Sequence, residues 1–364
     1  MTAARVLDAL TASRDPFVRE LHESLRGFHV TGVTGEAEVG KTAMVDAAVH
    51  RRPDLRQVRL DLDATYSPNR LVWQWARALA RTTMGRVAFS HVDELARDLW
   101  PGRTRSELAL LGDHFGPDIA RLVEQPFPDP GIGTLDAVAE LMHATITLAG
   151  EEQVVLVIDH LEAPSLAFRH PLNVDELLWH VRSAAQHAVD LHMVLIARPP
   201  AVELATAESA AFYGDGQWLS LQRPSASQFA EATERPVELV AEVMRYTAGH
   251  VASTLAVLER HRPSRRVHAT VSELADDHRT LADRTLQHAR SVHRLGGHLV
   301  RATAAGAGPY EASPDARSKE VSTAMRQLHL AGIVRRPSDV HQGWELTDPR
   351  VVWVLMGTPA PIRP

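Results

Sequence analysis

Short apolar runs separated by segments of helical periodicity dominate residues 1–222. Val154–Ile158 is a run of consecutive apolar residues, most of them β-branched, and such a run is typical of a strand buried on both faces of a parallel sheet. Further strands are expected at 28–33, 58–62, 191–197 and 217–221. Because helical segments separate the strands, the pattern predicts an α/β fold with a doubly wound, mainly parallel sheet, which binds ligands at the carboxyl ends of its strands.

A mainly helical insertion is expected to interrupt this alternation at about residues 64–150. Apolar residues recur there at helical spacing and predict helices that include 108–123 and 135–148. Large aromatic side chains on such apolar faces are expected to pack in the core and not to stack on nucleobases. The residues concerned are Trp73, Trp75 and Trp100.

Two smaller domains are expected to follow the sheet domain of residues 1–222. Residues 223–284 have helical periodicity without a strand pattern and predict a helical lid domain. Residues 285–364 predict a helix at 286–304, an amphipathic helix at 319–331, a short β-hairpin and a terminal helix with Asp348 as N-cap and Pro349 at its first position. Helices followed by a short hairpin are typical of a winged-helix domain.

The composition indicates a globular protein with no cysteine chemistry. The 364 residues are 45% hydrophobic and contain no cysteine, which excludes disulfides and thiol nucleophiles. No apolar stretch has the length of a membrane span or the pattern of a signal peptide, so a cytoplasmic location is expected. The formal net charge is −6, yet residues 285–364 carry ten basic against six acidic side chains, and only this part has the sign that favours nucleic acid.

The strongest chemical signal follows the first predicted strand. Gly35-x4-Gly40-Lys41-Thr42 matches the phosphate-binding loop G-x-x-x-x-G-K-[ST], between a strand and a helix. The glycines allow the backbone amides to face phosphate oxygens, the lysine ammonium reaches the β- and γ-phosphates, and the threonine hydroxyl binds Mg²⁺. The pattern therefore predicts a P-loop NTPase core that binds ATP and Mg²⁺. The expected nucleotide-contacting residues of the loop are Gly35, Glu36, Ala37, Glu38, Val39, Gly40, Lys41, Thr42 and Ala43.

A second signal ends the most apolar predicted strand. Asp159 follows the run Val154–Ile158, at the edge of the sheet where a ligand is expected. An acid in this place, more than a hundred residues after the loop, has the position of the Walker B aspartate, which holds Mg²⁺ opposite the loop threonine. Thr42 and Asp159 are therefore the predicted metal ligands.

Taken together, these motifs resemble the STAND class of P-loop ATPases, which are relatives of the AAA+ proteins, and the archaeal-type ATPases with a C-terminal winged helix. Lys41, Thr42 and Asp159 carry the resemblance. It implies that Arg14, ahead of the first strand, contacts the nucleotide and that Arg198, after the fourth strand, reads the γ-phosphate. It also implies that Gly249-His250-Val251, which has valine in place of the family's proline, couples the lid to the nucleotide.

The chain departs from the family at position 160. The family has a second acid after the Walker B aspartate to polarise the attacking water, whereas this chain has His160, with Glu162 two residues later. Either Glu162 or His160 takes this role, or hydrolysis is slow and the nucleotide acts as a switch ligand. By their chemistry alone, three arginines are candidates for a residue that acts across a subunit boundary: Arg97, Arg103 and Arg105.

Two functions follow from the resemblance. The first is an ATP-binding, slowly hydrolysing STAND-type switch whose nucleotide state sets the position of the lid and winged helix, with an unidentified protein partner or a second copy of the chain as the receiver of the signal. The alternative is a DNA-associated, initiator- or transposition-like ATPase that places residues 317–336 on duplex DNA. Four basic side chains are available for that contact: Arg317, Lys319, Arg326 and His329. A small-molecule kinase fits less well, because the loop and Asp159 are widely spaced.

Overall fold

The computed structural model describes residues 3–62 apart from 37, scattered positions in 71–82, residues 132–162 apart from 152, scattered positions in 178–190, residues 191–336 apart from 209, 213 and 215, and residues 343–357. The helix expected at 108–123 lies outside these residues, as do Trp73 and Trp100. Trp75 is fully buried, and its indole nitrogen donates a hydrogen bond to Thr145 Oγ1 at 3.1 Å. The core position expected for Trp75 is confirmed.

A five-stranded parallel sheet forms the centre of the fold, in the spatial order β2-β3-β4-β1-β5. Strand β4 pairs with β1 on one side and with β3 on the other. Because β1 leads into the loop and β3 ends at Asp159, the loop and Asp159 are two strands apart. The predicted doubly wound α/β fold is confirmed. The strands are β1 Val30–Thr34, β2 Arg56–Asp61, β3 Val154–Asp159, β4 Leu191–Ala197 and β5 Gln217–Ser220.

Both faces of the sheet are covered, which explains the unbroken apolar run of β3. All six residues of β3 are buried. Leu156 and Ile158 pack in the cluster on one face, whereas Val155 and Val157 pack in the cluster on the other, as the period of two in a strand requires. The helices whose bounds the structure describes in this part of the chain are α1 Ala3–Ala12, α2 Asp15–Gly27, α3 Lys41–His50, α4 Ile132–Glu151 and α5 Pro199–Ala205.

Residues 223–278, called the lid segment below, pack around their own apolar cluster. That cluster also takes in Val6 and Leu10 of α1, so the first helix packs on the lid segment and not on the sheet. Pro16 stands in the first turn of α2 and separates α2 from α1, since proline is tolerated there but not inside a helix. The lid segment contains α6 Ala226–Thr233, α7 Val237–Thr247, α8 Val251–Arg260 and α9 Val267–Asp277.

Residues 279–357, called the C-terminal segment below, surround a fourth cluster. The single helix expected over 286–304 is wrong, because the chain turns between two helices at 293–295. A Cβ on Gly296 would lie 1.9 Å from the carbonyl oxygen of Ala289, so this close approach needs glycine. The expected hairpin is confirmed, and Asp348 caps the last helix by accepting from the Arg350 amide at 2.9 Å. The elements are α10 Arg279–Val292, α11 Gly296–Ala304, α12 Ser318–Leu330, β6 Val334–Arg335, β7 Glu345–Leu346 and α13 Pro349–Met356.

Among the described residues, no helix has the length and apolar character that crossing a membrane requires.

Gly32 lies where β1 passes directly under the indole of Trp218. A Cβ at this position would lie 2.0 Å from that ring. We therefore expect Gly32→Ala to lower the free energy of unfolding by about 1–3 kcal/mol, because overpacking forces neighbouring groups to shift. Gly27→Ala is the matched control, since nothing lies within 4 Å of a Cβ there. Equal unfolding midpoints for the two variants in a urea titration would contradict this reading of the sheet.

Candidate nucleotide-binding site

The loop between β1 and α3 is held in a closed turn by its own lysine. Lys41 Nζ donates hydrogen bonds to the carbonyl oxygens of Gly35 and Glu36 at 2.8 and 2.7 Å. Gly40 has a φ of 94° at the N-terminus of α3, a left-handed conformation that glycine adopts without strain. Burial lowers the pKa of Lys41 to about 8, although the nearby carboxylate of Glu162 opposes this shift. The ammonium is therefore partly desolvated and close to the strand ends where an anion would bind.

Arg14 reaches the loop from the turn before α2. Its Nη1 donates a hydrogen bond to the Val39 carbonyl oxygen at 2.5 Å, and the side chain is buried, which lowers its pKa to about 10. Its Nη2 is buried and has no hydrogen-bond partner in the described part of the chain. The structure therefore places Arg14 beside the loop, with the N–H groups of Nη2 available to a ligand.

Thr42 and Asp159 meet at the ends of α3 and β3. Thr42 Oγ1 donates to Asp159 Oδ2 at 2.8 Å, and Arg59 Nη2 donates to the same oxygen at 2.7 Å. Arg59 also donates through Nη1 to Asp46 Oδ1 at 2.7 Å. A hydroxyl and a carboxylate are the hard oxygen ligands that Mg²⁺ prefers, so these residues fit the predicted metal. Arg59 was not among the predicted site residues, because nothing in its local sequence separates it from other strand arginines.

The two candidates for the water-polarising group have different partners. Glu162 is buried, and both of its oxygens are taken by Arg198, from the backbone amide at 3.1 Å and from Nε at 3.0 Å. His160 has a φ of 57°, and its Nδ1 lies 2.9 Å from Asp61 Oδ1. This hydrogen bond is the main reason why the pKa of His160 is raised. Asp61 was missed, although it ends β2 in direct register with Asp159.

A cavity of about 670 Å³ lies over these residues. Its walls come from the loop, the ends of β3 and β4, the lid segment and the C-terminal segment. Three lining residues carry buried polar atoms that have no hydrogen-bond partner among the described residues, namely His250 Nε2, His288 Nε2 and Thr347 Oγ1. Buried polar groups are normally paired, so these atoms favour a polar ligand. The structure thus brings His250 to the same cavity as Lys41.

The side chains of the loop's two acids contact later parts of the chain. Glu36 is paired with Arg223 and with Arg335. Glu38 is paired with His250, Nδ1 to Oε2, at 3.0 Å and with Arg350, Nη2 to Oε1, at 2.7 Å. The sequence predicted both acids only as members of the loop and gave no signal for Arg223, Arg335 or Arg350. Ala37 lies outside the described residues, and so do Arg97, Arg103 and Arg105.

Comparison with known proteins supports the fold. No family model matches the chain, and no curated protein matches it. A solved structure of a Walker-type ATPase of Pyrococcus abyssi superposes with a TM-score of 0.60 at 15% sequence identity, covering 94% of this chain and 95% of that chain.

This chain has the fold of a P-loop ATPase. The ORC1 protein of Aeropyrum pernix in complex with DNA has a TM-score of 0.46 at 17% identity and covers 94% of this chain and 91% of its own. The ORC2 protein of the same organism, in ADPNP and ADP complexes, has a TM-score of 0.47 at 12% identity, with coverages of 93% and 92%. The sequence prediction and the comparison with the Pyrococcus abyssi structure agree on the P-loop NTPase fold.

Arg59 neutralises a carboxylate that is almost completely buried. We expect Arg59→Gln to lower the free energy of unfolding by about 2 kcal/mol, because Asp159 then keeps a charge with one fewer donor. Asp46→Asn, which removes only the more exposed partner of Arg59, should cost less than about 1 kcal/mol. Urea unfolding of both variants measures the difference. If Asp46→Asn were the more destabilising of the two, the role given to Arg59 at Asp159 would be wrong.

Proposed function

We propose that the chain is an ATP-binding, slowly hydrolysing switch of the STAND type, in which the nucleotide sets the position of the lid segment and of the C-terminal segment, a winged helix. The observation that carries this proposal is the gathering of Lys41, Thr42 and Asp159 at one cavity whose other walls are the lid and C-terminal segments. A ligand in such a cavity contacts all three parts of the chain. Its binding energy can therefore bias their relative position.

The backbone amides of the loop, together with Lys41 and Arg14, are proposed to hold the phosphates, and Thr42 and Asp159 to hold Mg²⁺. The metal, when bound, supplies charge neutralisation for the phosphate oxygens. Arg198 is proposed to read the γ-phosphate from the end of β4, the strand between the loop and Asp159. His250 is proposed to carry the nucleotide state to the lid segment, since it starts α8 and lines the cavity.

Slow hydrolysis is supported by the contacts of Glu162. Because Arg198 occupies both of its carboxylate oxygens, this acid is poorly placed to polarise water while the pair is intact. His160 also lines the cavity and is oriented by Asp61, which makes it the better placed of the two candidates. An imidazole oriented by a carboxylate, as His160 is by Asp61, can accept a proton from water. A single general base of this kind gives only a modest acceleration of hydrolysis.

Nucleotide binding is expected to depend on Lys41. Lys41→Ala should weaken ATP binding at least about a hundredfold in calorimetric titrations, because a desolvated cation beside the phosphates is lost. The sequence offers a matched control, since the only other lysine of the chain is Lys319, which is exposed on α12. Lys319→Ala should bind ATP as the unmodified chain does. Micromolar ATP affinity in Lys41→Ala would exclude the proposal.

Turnover is expected to depend on Asp159. Asp159→Asn should reduce Mg²⁺-dependent ATP hydrolysis at least about tenfold, because the amide is a weaker metal ligand than the carboxylate. Phosphate release measured with and without Mg²⁺ tests this, with ATP binding measured in parallel to show that the site is still formed. Unchanged turnover in Asp159→Asn would contradict the metal role of Thr42 and Asp159.

One observation favours the alternative, a DNA-associated ATPase. Arg317, Lys319 and Arg326 are exposed on or next to α12, whose opposite face is buried. This leaves a cationic helix face of the kind that contacts phosphates in winged-helix proteins bound to duplex DNA. The test is salt-dependent binding of a duplex by the full chain and by Arg326→Ala. Binding that weakens with salt and with this substitution supports the alternative, and no binding at low salt removes it.

A further inference from the structure

The phosphate-binding loop carries two acids whose side chains bind cations from elsewhere in the chain. Each acid takes one partner from the lid segment and one from the C-terminal segment: Glu36 pairs with Arg223 and Arg335, and Glu38 pairs with His250 and Arg350. The sequence distances are large, up to 312 residues for Glu38 and Arg350. These pairs therefore fasten both later segments to the loop.

The two acids differ in where they face. Glu38, His250 and Arg350 all line the cavity that contains Lys41 and Thr42. Glu36 and Arg335 instead line a second cavity on the other side of Arg198, and Arg223 lines neither. A phosphate placed over Lys41 is thus in the same space as the partners of Glu38 and is separated from the partners of Glu36.

The backbone and the unpaired atoms at Glu38 support a site that responds to a ligand. Glu38 has a φ of 54°, a left-handed conformation that is uncommon for a residue other than glycine and persists where surrounding contacts enforce it. His250 is almost fully buried, uses Nδ1 for Glu38 and for Ser253 Oγ at 2.9 Å, and leaves Nε2 unpaired at the cavity. Burial raises the pKa of Glu38, but its hydrogen bond and charge interaction with His250, together with Arg350, outweigh this and leave it below the ordinary value.

We propose that the Glu38 carboxylate competes with the phosphates of the bound nucleotide for Arg350, whereas Glu36 is a fixed anchor for Arg223 and Arg335. His250 keeps Nδ1 on Glu38 and has Nε2 available for the nucleotide. This inference rests on the proposed function and names the contact through which the site is regulated. When phosphate takes over Arg350, the C-terminal segment exchanges one anionic partner for another and stays joined to the loop through Arg335 and Glu36. The exchange changes the position of this segment without releasing it.

The pair between Glu38 and Arg350 is thermodynamically linked to nucleotide binding. Arg350 Nη2 donates to Glu38 and is available to phosphate only after that pair is broken, so the pair lowers the apparent affinity for nucleotide. By reciprocity, bound nucleotide weakens the pair by the same factor. Removal of the carboxylate should therefore tighten ATP binding, although the loop then loses a contact.

The first experiment compares the two acids in the full chain, by calorimetric titration with Mg²⁺ and ATP. Glu38→Gln is expected to tighten ATP binding about tenfold, a typical coupling for such a competition. Glu36→Gln removes the same charge from the same loop and should gain no more than about twofold, from reduced repulsion alone. Weaker binding by Glu38→Gln, or an equal gain for both variants, would overturn the proposal.

The second experiment identifies the partner through a double-mutant cycle. In the Arg350→Gln background, Glu38→Gln should gain no more than about twofold, the same limit as for Glu36→Gln, because the competed-for cation is already absent. A full tenfold gain in that background would show that Glu38 acts by charge repulsion and not through Arg350.

A third variant keeps the charge and covers the case in which Glu38→Gln does not fold. Glu38→Asp shortens the side chain by one methylene, so it should weaken the pair with Arg350 and still tighten ATP binding by about threefold or more. Unchanged or weaker affinity in folded Glu38→Asp would contradict the competition. The proposed function is judged separately, by ATP binding of the unmodified chain and its loss in Lys41→Ala. If the unmodified chain binds ATP and the Glu38 variants do not tighten it, only the competition is wrong.

Discussion

The hydrogen bond between Thr42 and Asp159 is the interaction on which the site depends. It joins the start of α3 to the end of β3 across the width of one strand, because β4 lies between β1 and β3. Asp159 is a nearly buried carboxylate, and such a group persists only where donors surround it. Thr42, Arg59 and the His160 amide supply those donors. The packing of the sheet and the hydrogen bonds of Asp159 therefore depend on each other. A shift of β3 relative to β1 would disturb the strand packing and would also separate Asp159 from Thr42.

The loop above the sheet is likewise held by charged side chains. Lys41 is turned back onto the carbonyl oxygens of its own loop, and Arg14 binds the loop from outside. The side chains of Glu36 and Glu38 pair with other cations, which come from the lid and C-terminal segments. Charged contacts of a single turn thus help to attach both segments to the core.

The sequence predicted the parts of the molecule that depend on contiguous residues. The loop, its helix and the strand before Asp159 were found because glycine, lysine and an apolar run act over a few positions. The partners of Glu36 and Glu38 were not found, because docking brings together residues as far apart as Glu38 and Arg350. Asp61 could be predicted only in part. The sequence places it near the end of a predicted strand, but its register with Asp159 follows only from the pairing of β2 with β3. The turn before Gly296 was missed because a contact with α10, and not a local signal, requires it.

Arg198 connects the chemistry of the site to the C-terminal segment. Its amide and Nε bind Glu162, while Nη1 donates to the carbonyl oxygen of Gly332 at 3.4 Å. Gly332 has a φ of 66°, and a Cβ there would lie 2.7 Å from Arg198 Nη1, so glycine is needed both for the backbone and for the approach of the guanidinium. Any movement of Arg198 towards a ligand in the cavity must therefore alter its contacts with Glu162 and with the turn after α12 together. A single side chain at the end of β4 thus links Glu162, which lines the cavity, to the C-terminal segment.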